Sequence, residues 1–164
     1  MTEQPQRRTA FTVGAISDTH GVVSDAALAA LVGCDAIVHA GDVGDGWVLE
    51  LVAAVAPVTA VRGNDDYGAL RHGLPEIANL SLDGVRFLVV HRSEHLVGAA
   101  DPASAGARVV VTGHTHRGLV EERDGILYVN PGSASRPKAG DVASVALIRI
   151  GESGAITCEI VPIG

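Results

Sequence analysis

Five short segments, Asp18-Thr19-His20, Gly41-Asp42, Gly63-Asn64, His91 and Gly113-His114-Thr115-His116, each stand where an apolar, strand-like run ends. In open α/β sheets the loops beyond the carboxyl ends of the strands converge on one edge. A fold with these strands side by side therefore gathers carboxylates, imidazoles and an amide in one place. Any one of these residues alone reads as a turn, a cap or a satisfied polar group; five such explanations at five strand ends are much less probable together. The segments offer seven donors: Asp18, His20, Asp42, Asn64, His91, His114 and His116. One divalent ion takes about four to six donors, so seven suit two ions sharing a bridging carboxylate.

The pattern along the chain agrees with an α/β body. Residues 1–8 are polar and predict a flexible N-terminus, and 9–164 predict a single domain. A buried strand runs from about Ala10 to Ile16, and Ser24 caps a short helix through Leu31 that Gly33 ends. A strand at 35–40, a helix at 47–56 and a strand at 58–62 follow, so strand and helix alternate with parallel pairing. The second half carries hairpin signals at Asp83-Gly84 and Asp124-Gly125, and Gly151-Glu152-Ser153-Gly154 joins runs at 142–150 and 155–163. A βαβαβ opening followed by hairpins predicts mixed sheets packed face to face with outer helices.

Composition narrows the function classes. Aromatics are only 3% of the chain against 47% hydrophobic residues, so Val, Ala, Leu and Ile must build the core. A net charge of −7 opposes phosphate-backbone binding, and no nucleic-acid polymer is expected as a partner. Cys34 and Cys158 form no Cys-x-x-Cys pair, which leaves neither a disulfide framework nor a thiolate zinc site. The apolar run after Arg7-Arg8 breaks at Ser17-Asp18, too soon for an export signal, and no segment reaches the roughly 18 apolar residues of a membrane span. A cytoplasmic location without membrane association is expected, and homo-oligomerisation is left open.

Read together, D-x-H, G-D, G-N, a lone His and G-H-x-H in this order resemble the calcineurin-like metallophosphoesterase superfamily, most closely its small bacterial and archaeal phosphodiesterase branch. Asn130-Pro131-Gly132-Ser133 also fits that branch. The resemblance implies two mixed β-sheets packed face to face and flanked by helices, a four-layer αββα sandwich. It places Asp18, His20 and His116 on one ion, Asn64, His91 and His114 on the other, and Asp42 between them. Asp42, Asn64 and His114 would be catalytic, and Asn64 would also touch substrate.

The implied reaction is hydrolysis of a phosphate ester, most readily a phosphodiester, by in-line attack of a metal-bridging hydroxide. Two ions about 3.5–4 Å apart lower the pKa of the bridging water and offset charge on the attacking and leaving oxygens. Two divalent ions with two carboxylates leave a charge of about +2, which suits a small anionic phosphate ester. Oxygen and nitrogen donors without thiolate favour Mn²⁺, the first choice, or Ni²⁺, Zn²⁺, Fe or Co²⁺ over Ca²⁺ or Mg²⁺.

Two positions depart from the family pattern. Many members carry His after the motif Asn, whereas here Asp65 and Asp66 follow Asn64. An exposed carboxylate is ionised near neutral pH and is a poor acid, which predicts a preference for leaving groups that need little protonation. After His91 the chain reads Arg92-Ser93-Glu94-His95, where Arg92 can contact a substrate phosphate, pair with Glu94 or point into solvent, and His95 can supply an acid. His39, Arg62 and Asp66 are expected to orient ligands from behind, with Asp66 holding an imidazole or Arg62. Residues 67–76 and 92–106 are expected to wall the substrate pocket.

The rival from another class is a non-catalytic protein-binding scaffold, because the resemblance extends to a retromer subunit on this fold whose metal site is degraded. That subunit lacks the His of D-x-H, which is present here as His20. A nucleotide site at Gly41-Asp42-Val43-Gly44-Asp45-Gly46 fails the G-x-G-x-x-G spacing. A metallo-β-lactamase-like site fails because the Asp-His of H-x-H-x-D-H is missing after His116.

Overall fold

The computed structural model describes residues 10–164, so the expected flexible N-terminus lies outside the described residues. The first strand, β1 (Ala10–Ile16), shows how the layers arise. Successive side chains of a strand point to opposite faces: Val13 and Ala15 enter one apolar core, and Ile16 enters another. At Gly14 a Cβ would fall 2.6 Å from Leu31 Cδ2, so the missing side chain lets helix α1 (Asp25–Leu31) lie close on the strand. Ser24 caps that helix by accepting from the Ala27 N–H, as its sequence predicts.

The chain continues through β2 (Ala36–His39), α2 (Gly46–Ala53), β3 (Val58–Ala60), α3 (Gly68–Gly73), β4 (Ile77–Leu82) and β5 (Val85–Val90). Helix α2 is shorter than expected, because the chain must leave the α region before Pro57. After two 3₁₀ turns at Ser93–His95 and Gly98–Ala100 come β6 (Val109–Val111), β7 (Gly118–Arg123), β8 (Ile126–Pro131), β9 (Ser144–Gly151) and β10 (Ile156–Pro162).

These strands form two five-stranded mixed sheets, ordered β10-β9-β1-β2-β3 and β4-β5-β6-β8-β7. In the first, β1, β2 and β3 run parallel while β9 is antiparallel to both of its neighbours, β1 and β10; in the second, β5, β6 and β8 run parallel. Asp83-Gly84 and Asp124-Gly125 make the predicted hairpins with positive φ at both residues, 49° and 78°, and 51° and 76°.

The two sheets face each other across a core of Val13, Val38, Phe87, Val89, Val111 and Ile148, among others. Helices α1 and α2 cover the outer face of the first sheet through Leu31, Val48 and Val52. On the second sheet the outer face carries a smaller cluster, Leu88, Ala107, Val110 and Ile126, with Leu96 of the 3₁₀ segment against it. Here a helical layer is reduced to short turns. No helix among the described residues is long and apolar enough to cross a membrane.

The arrangement positions the five polar segments. Three follow parallel strands of the first sheet and two follow parallel strands of the second, so the carboxyl edges of both sheets contribute to one cleft.

Candidate metal centre

Seven non-glycine residues among those described have positive φ, and two of them belong to the Asp-Gly hairpin turns. The other five are Asp18, His20, Asp42, His114 and His116, all expected donors. Left-handed backbone is costly for such residues and persists where the surroundings over-determine it. Main-chain bonds do so here: Asp18 N–H donates to Gly41 O at 3.0 Å, His20 N–H to Asp42 O at 3.0 Å, and Gly113 N–H to His91 O at 3.0 Å.

Glycines bring these loops into contact. A Cβ at Gly63 would fall 2.0 Å from Asp42 Oδ1, one at Gly113 would fall 2.1 Å from Ser17 Oγ, and one at Gly41 would fall 2.7 Å from His91 Nδ1. The Asn-Pro-Gly-Ser segment ties both histidine loops together. Asn130 Nδ2 donates to Gly113 O at 2.9 Å, and Ser133 Oγ donates to Asp18 O at 2.7 Å. Ser135 Oγ donates to Thr19 O at 2.7 Å. Sequence reasoning missed these roles, because each bond joins residues far apart in the chain.

Donor chemistry can be read from the hydrogen bonds behind each imidazole. His91 Nδ1 lies 2.7 Å from Ala40 O, which only accepts, so Nδ1 carries the proton. That turns Nε2 toward two more acceptors, Asn64 Oδ1 at 2.9 Å and Asp42 Oδ2 at 3.2 Å. His116 likewise donates from Nδ1 to Arg136 O, so its Nε2 lone pair faces His20 Nε2 at 3.2 Å and Asp18 Oδ1 at 3.2 Å. Asp18 Oδ1 is buried without a hydrogen-bond partner. Imidazole nitrogens and carboxylate oxygens crowded around an orphaned carboxylate oxygen call for a cation.

The ligand atoms converge in three groups: Asp18, His20 and His116; Asp18, Asp42 and His91; and His20, Asp42 and Asp65. The first is the expected set for one ion. For the other, the structure brings Asn64 and His91 together, with the His114 ring edge-on to His91 at 5.3 Å between centroids and outside the three groups. Asp42 Oδ2 stands 3.2 Å from His91 and 3.8 Å from His20, a position between the two sets. The donor set therefore fits divalent ions.

Electrostatics follows the same geometry. Burial raises the pKa of Asp18, partly opposed by the Ser17 hydroxyl. Burial also acts to raise Asp42, but hydrogen bonds from His91 and the Asp65 N–H outweigh it and hold the carboxyl below its usual range. His91 is pushed down by burial and up by Asp42, with a net rise.

Asp65 was not among the expected ligands, yet it organises the site. Its N–H donates to Asp42 Oδ1 at 2.8 Å, its Oδ1 accepts from Asn64 Nδ2 at 3.0 Å, and its Oδ2 lies 3.9 Å from His20 Nδ1. The Asn64 amide is thereby turned with its oxygen toward His91. Asp66, expected to hold an imidazole or Arg62, instead accepts from the Gly63 and Gly44 N–H groups at 2.8 and 2.9 Å. Its charge still acts on the His39 imidazole from there. Arg62 donates to Leu74 O at 3.0 Å.

His39 acts from behind the loops, as expected. It is buried, Gly41 N–H donates to its Nδ1 at 3.2 Å, and its Nε2 lies 3.0 Å from Thr19 Oγ1, which donates to Val43 O. Burial lowers its pKa to about 4. Because the folded protein resists a proton that the unfolded chain accepts at its ordinary value of 6.5, stability is full above that pH and falls as pH drops toward 4. The loss should reach about 3 kcal/mol. Urea unfolding of wild type and His39→Gln between pH 7 and 4 checks this: wild type should lose stability more steeply, and parallel profiles would contradict it.

Arg92 lies on the cleft wall, paired with Glu94 at 2.7 Å through Nη2, and His95 faces Glu76 at 3.3 Å. Both belong to the segments expected to wall the pocket, and with Arg71 and Glu76 they line a cavity that Asn64 and His91 close at one end.

Comparison with known proteins agrees with this geometry. The family model of the calcineurin-like phosphoesterase superfamily domain matches residues 11–153. The chain is 31% identical to a probable metallophosphoesterase of Methanocaldococcus jannaschii, over 77% of this chain and 69% of the relative. It is 29% identical to a probable metallophosphoesterase of Methanothermobacter thermautotrophicus, over 93% and 92%. Among solved structures, Entamoeba histolytica Vps29 superposes with a TM-score of 0.73 at 22% identity, over 94% of this chain and 100% of that one. The Escherichia coli phosphoesterase YfcE does so with a TM-score of 0.63 at 28% identity, over 94% and 100%.

Proposed function

The chain belongs to the calcineurin-like phosphoesterase superfamily, and from that premise we propose that this metal-dependent phosphate-ester hydrolase is a dinuclear phosphodiesterase. The reading takes residues 9–164 as its single domain. The observation that carries it is the convergence of imidazole nitrogens and the orphaned Asp18 Oδ1 on either side of Asp42.

Asp18, His20 and His116 would hold one ion, Asn64, His91 and His114 the other, and Asp42 both. Such a pair supplies a water of lowered pKa and a charge clamp for in-line displacement at phosphorus. Mn²⁺ is the proposed metal, since carboxylate and amide oxygens accompany the imidazoles.

The chain's own residues fix the rest. The bonds of Ala40 O to His91 and Arg136 O to His116 set which nitrogen of each imidazole faces the cleft. Asp42 and Asp18 are anchored by Asp65 N–H and by Ser17, so their free oxygens point between the imidazoles. Arg92 is proposed as a substrate contact: with Glu94 bound to its Nε and Nη2, its Nη1 has no protein partner among the described residues. Asp65 takes the place of the usual histidine, and its carboxylate oxygens serve as acceptors for Asn64 and neighbour His20. No acid for the leaving group stands at that position.

The scaffold alternative is kept in view by the likeness to Vps29, which shows the fold alone. His20, within reach of His116 and Asp42, favours catalysis.

The test is turnover by metal-stripped protein after Mn²⁺, Ni²⁺ or Zn²⁺ is added. Aryl phosphodiesters should be cut in a metal-dependent way and at least about a hundredfold faster than alkyl phosphodiesters, since poor leaving groups lack a proton donor worth about 10²–10⁴-fold. No metal-dependent turnover would favour the scaffold, and equal rates for aryl and alkyl esters would contradict the role given to Asp65.

A further inference from the structure

The cleft continues from Asn64 and His91 into a cavity of about 380 Å³ whose other walls include Arg62, Arg71, Glu76, Arg92 and His95. The whole chain has a net charge of −7 and only 12 Lys and Arg residues, so three arginines on one cavity are a concentration against the overall balance.

The one carboxylate in the wall is already engaged. Glu76 lies 3.7 Å from Arg62 Nη2 and 3.3 Å from His95 Nδ1. Arg62 is further pinned by donating to Leu74 O and Arg71 O. Arg92 is held by Glu94, which is not part of the wall. The guanidinium of Arg71, in the last turn of α3, makes no hydrogen bond or ion pair among the described residues; only the Arg71 carbonyl is engaged, by Arg62. Counting Glu94 as well, one positive charge stays uncompensated, and Arg71 is the cation that carries it.

The wall also lacks aliphatic side chains, and its only rings are imidazoles. An acyl chain would find no aliphatic side chain to pack against there. Planar guanidinium forks match phosphate oxygens, and an oxyanion satisfies what a neutral ligand would leave unpaired.

We infer that this arginine-lined cavity binds a second phosphate on the part of the substrate that does not react, with Arg71 as the specificity-determining residue. The inference rests on the phosphodiesterase reading for the position of the reacting phosphate. Its substrate class is a phosphodiester bearing a further phosphate group, such as an ester of a nucleoside bisphosphate.

Calorimetric binding to the Mn²⁺-loaded protein tests it, with adenosine 5′-monophosphate and adenosine 3′,5′-bisphosphate as the probes. Wild type should bind the bisphosphate at least about tenfold more tightly, the effect of one charge-assisted fork. Arg71→Ala should bring the two affinities within about twofold of each other, and Arg71→Glu should reverse their order. Arg149→Ala, which removes a positive charge from the exposed pair with Glu159 outside this cavity, should keep the preference. Equal affinities in wild type, no binding of either probe, or a preference that survives Arg71→Ala would overturn the inference. Because binding needs no turnover, a protein that prefers the bisphosphate but cuts no aryl diester would refute the phosphodiesterase reading and leave this site standing.

Discussion

Asp42→Ala should lower metal-dependent kcat/KM by at least about a thousandfold, beyond the 10–100-fold that outer-sphere partners of metal ligands typically cost. The reason is position. Its Oδ2 lies 3.2 Å from His91 and 3.8 Å from His20, so one carboxylate stands between the two proposed halves of the site. The same substitution leaves the Asp65 N–H without its acceptor, which costs about 1–3 kcal/mol of stability. Asp42→Asn separates the two effects: it keeps an oxygen for Asp65 but loses the charge. Turnover should collapse in both variants, while thermal unfolding of Asp42→Asn should stay close to wild type. Substantial turnover by either variant would remove Asp42 from the centre.

A single methyl group should do nearly as much damage at Gly63. An alanine Cβ there would sit 2.0 Å from Asp42 Oδ1 and 2.3 Å from Asp42 N, and the second atom is backbone that cannot swing away. Asp42 or the 63–65 loop must move, and a displacement of about 1 Å at a reacting centre costs about a hundredfold in rate. Overpacking adds a destabilisation of about 1–3 kcal/mol. Gly46→Ala is the control, because nothing lies within 4 Å of its Cβ at the start of α2. Rates and unfolding midpoints of the two variants check the contrast, and a fully active Gly63→Ala protein would contradict the packing argument.

Much of this arrangement was legible in the sequence because the signals are local. Asp-Gly at 83–84 and 124–125 specifies positive φ at two successive residues, and both became hairpin turns. Ser24 announced its helix through a hydroxyl three residues from the N–H that it satisfies. The seven expected donors could be picked out because their segments follow apolar runs, and parallel strands bring such ends together.

What escaped depends on contacts that spacing does not encode. Nothing within 115 residues of Asp18 reveals that Ser133 holds its carbonyl. Asp66 was expected to meet a charged partner, whereas two backbone N–H groups at the crossing of the 41–44 and 63–66 loops captured it. Asp65 looked like a lost acid and proved to be the residue that turns Asn64 toward His91. The left-handed backbone of Asp18, His20, Asp42, His114 and His116 was equally hidden, since only His20, Asp42 and His114 adjoin a glycine and Asp18 and His116 do not.

The central claim is that two divalent ions sit side by side and share Asp42, and the electron paramagnetic resonance spectrum of metal-stripped protein titrated with Mn²⁺ tests it most directly. The account predicts two Mn²⁺ per chain with an exchange-coupled signal, as expected for ions about 3.5–4 Å apart, and loss of that coupling in Asp42→Asn. One ion per chain, or two ions that remain magnetically independent, would contradict it.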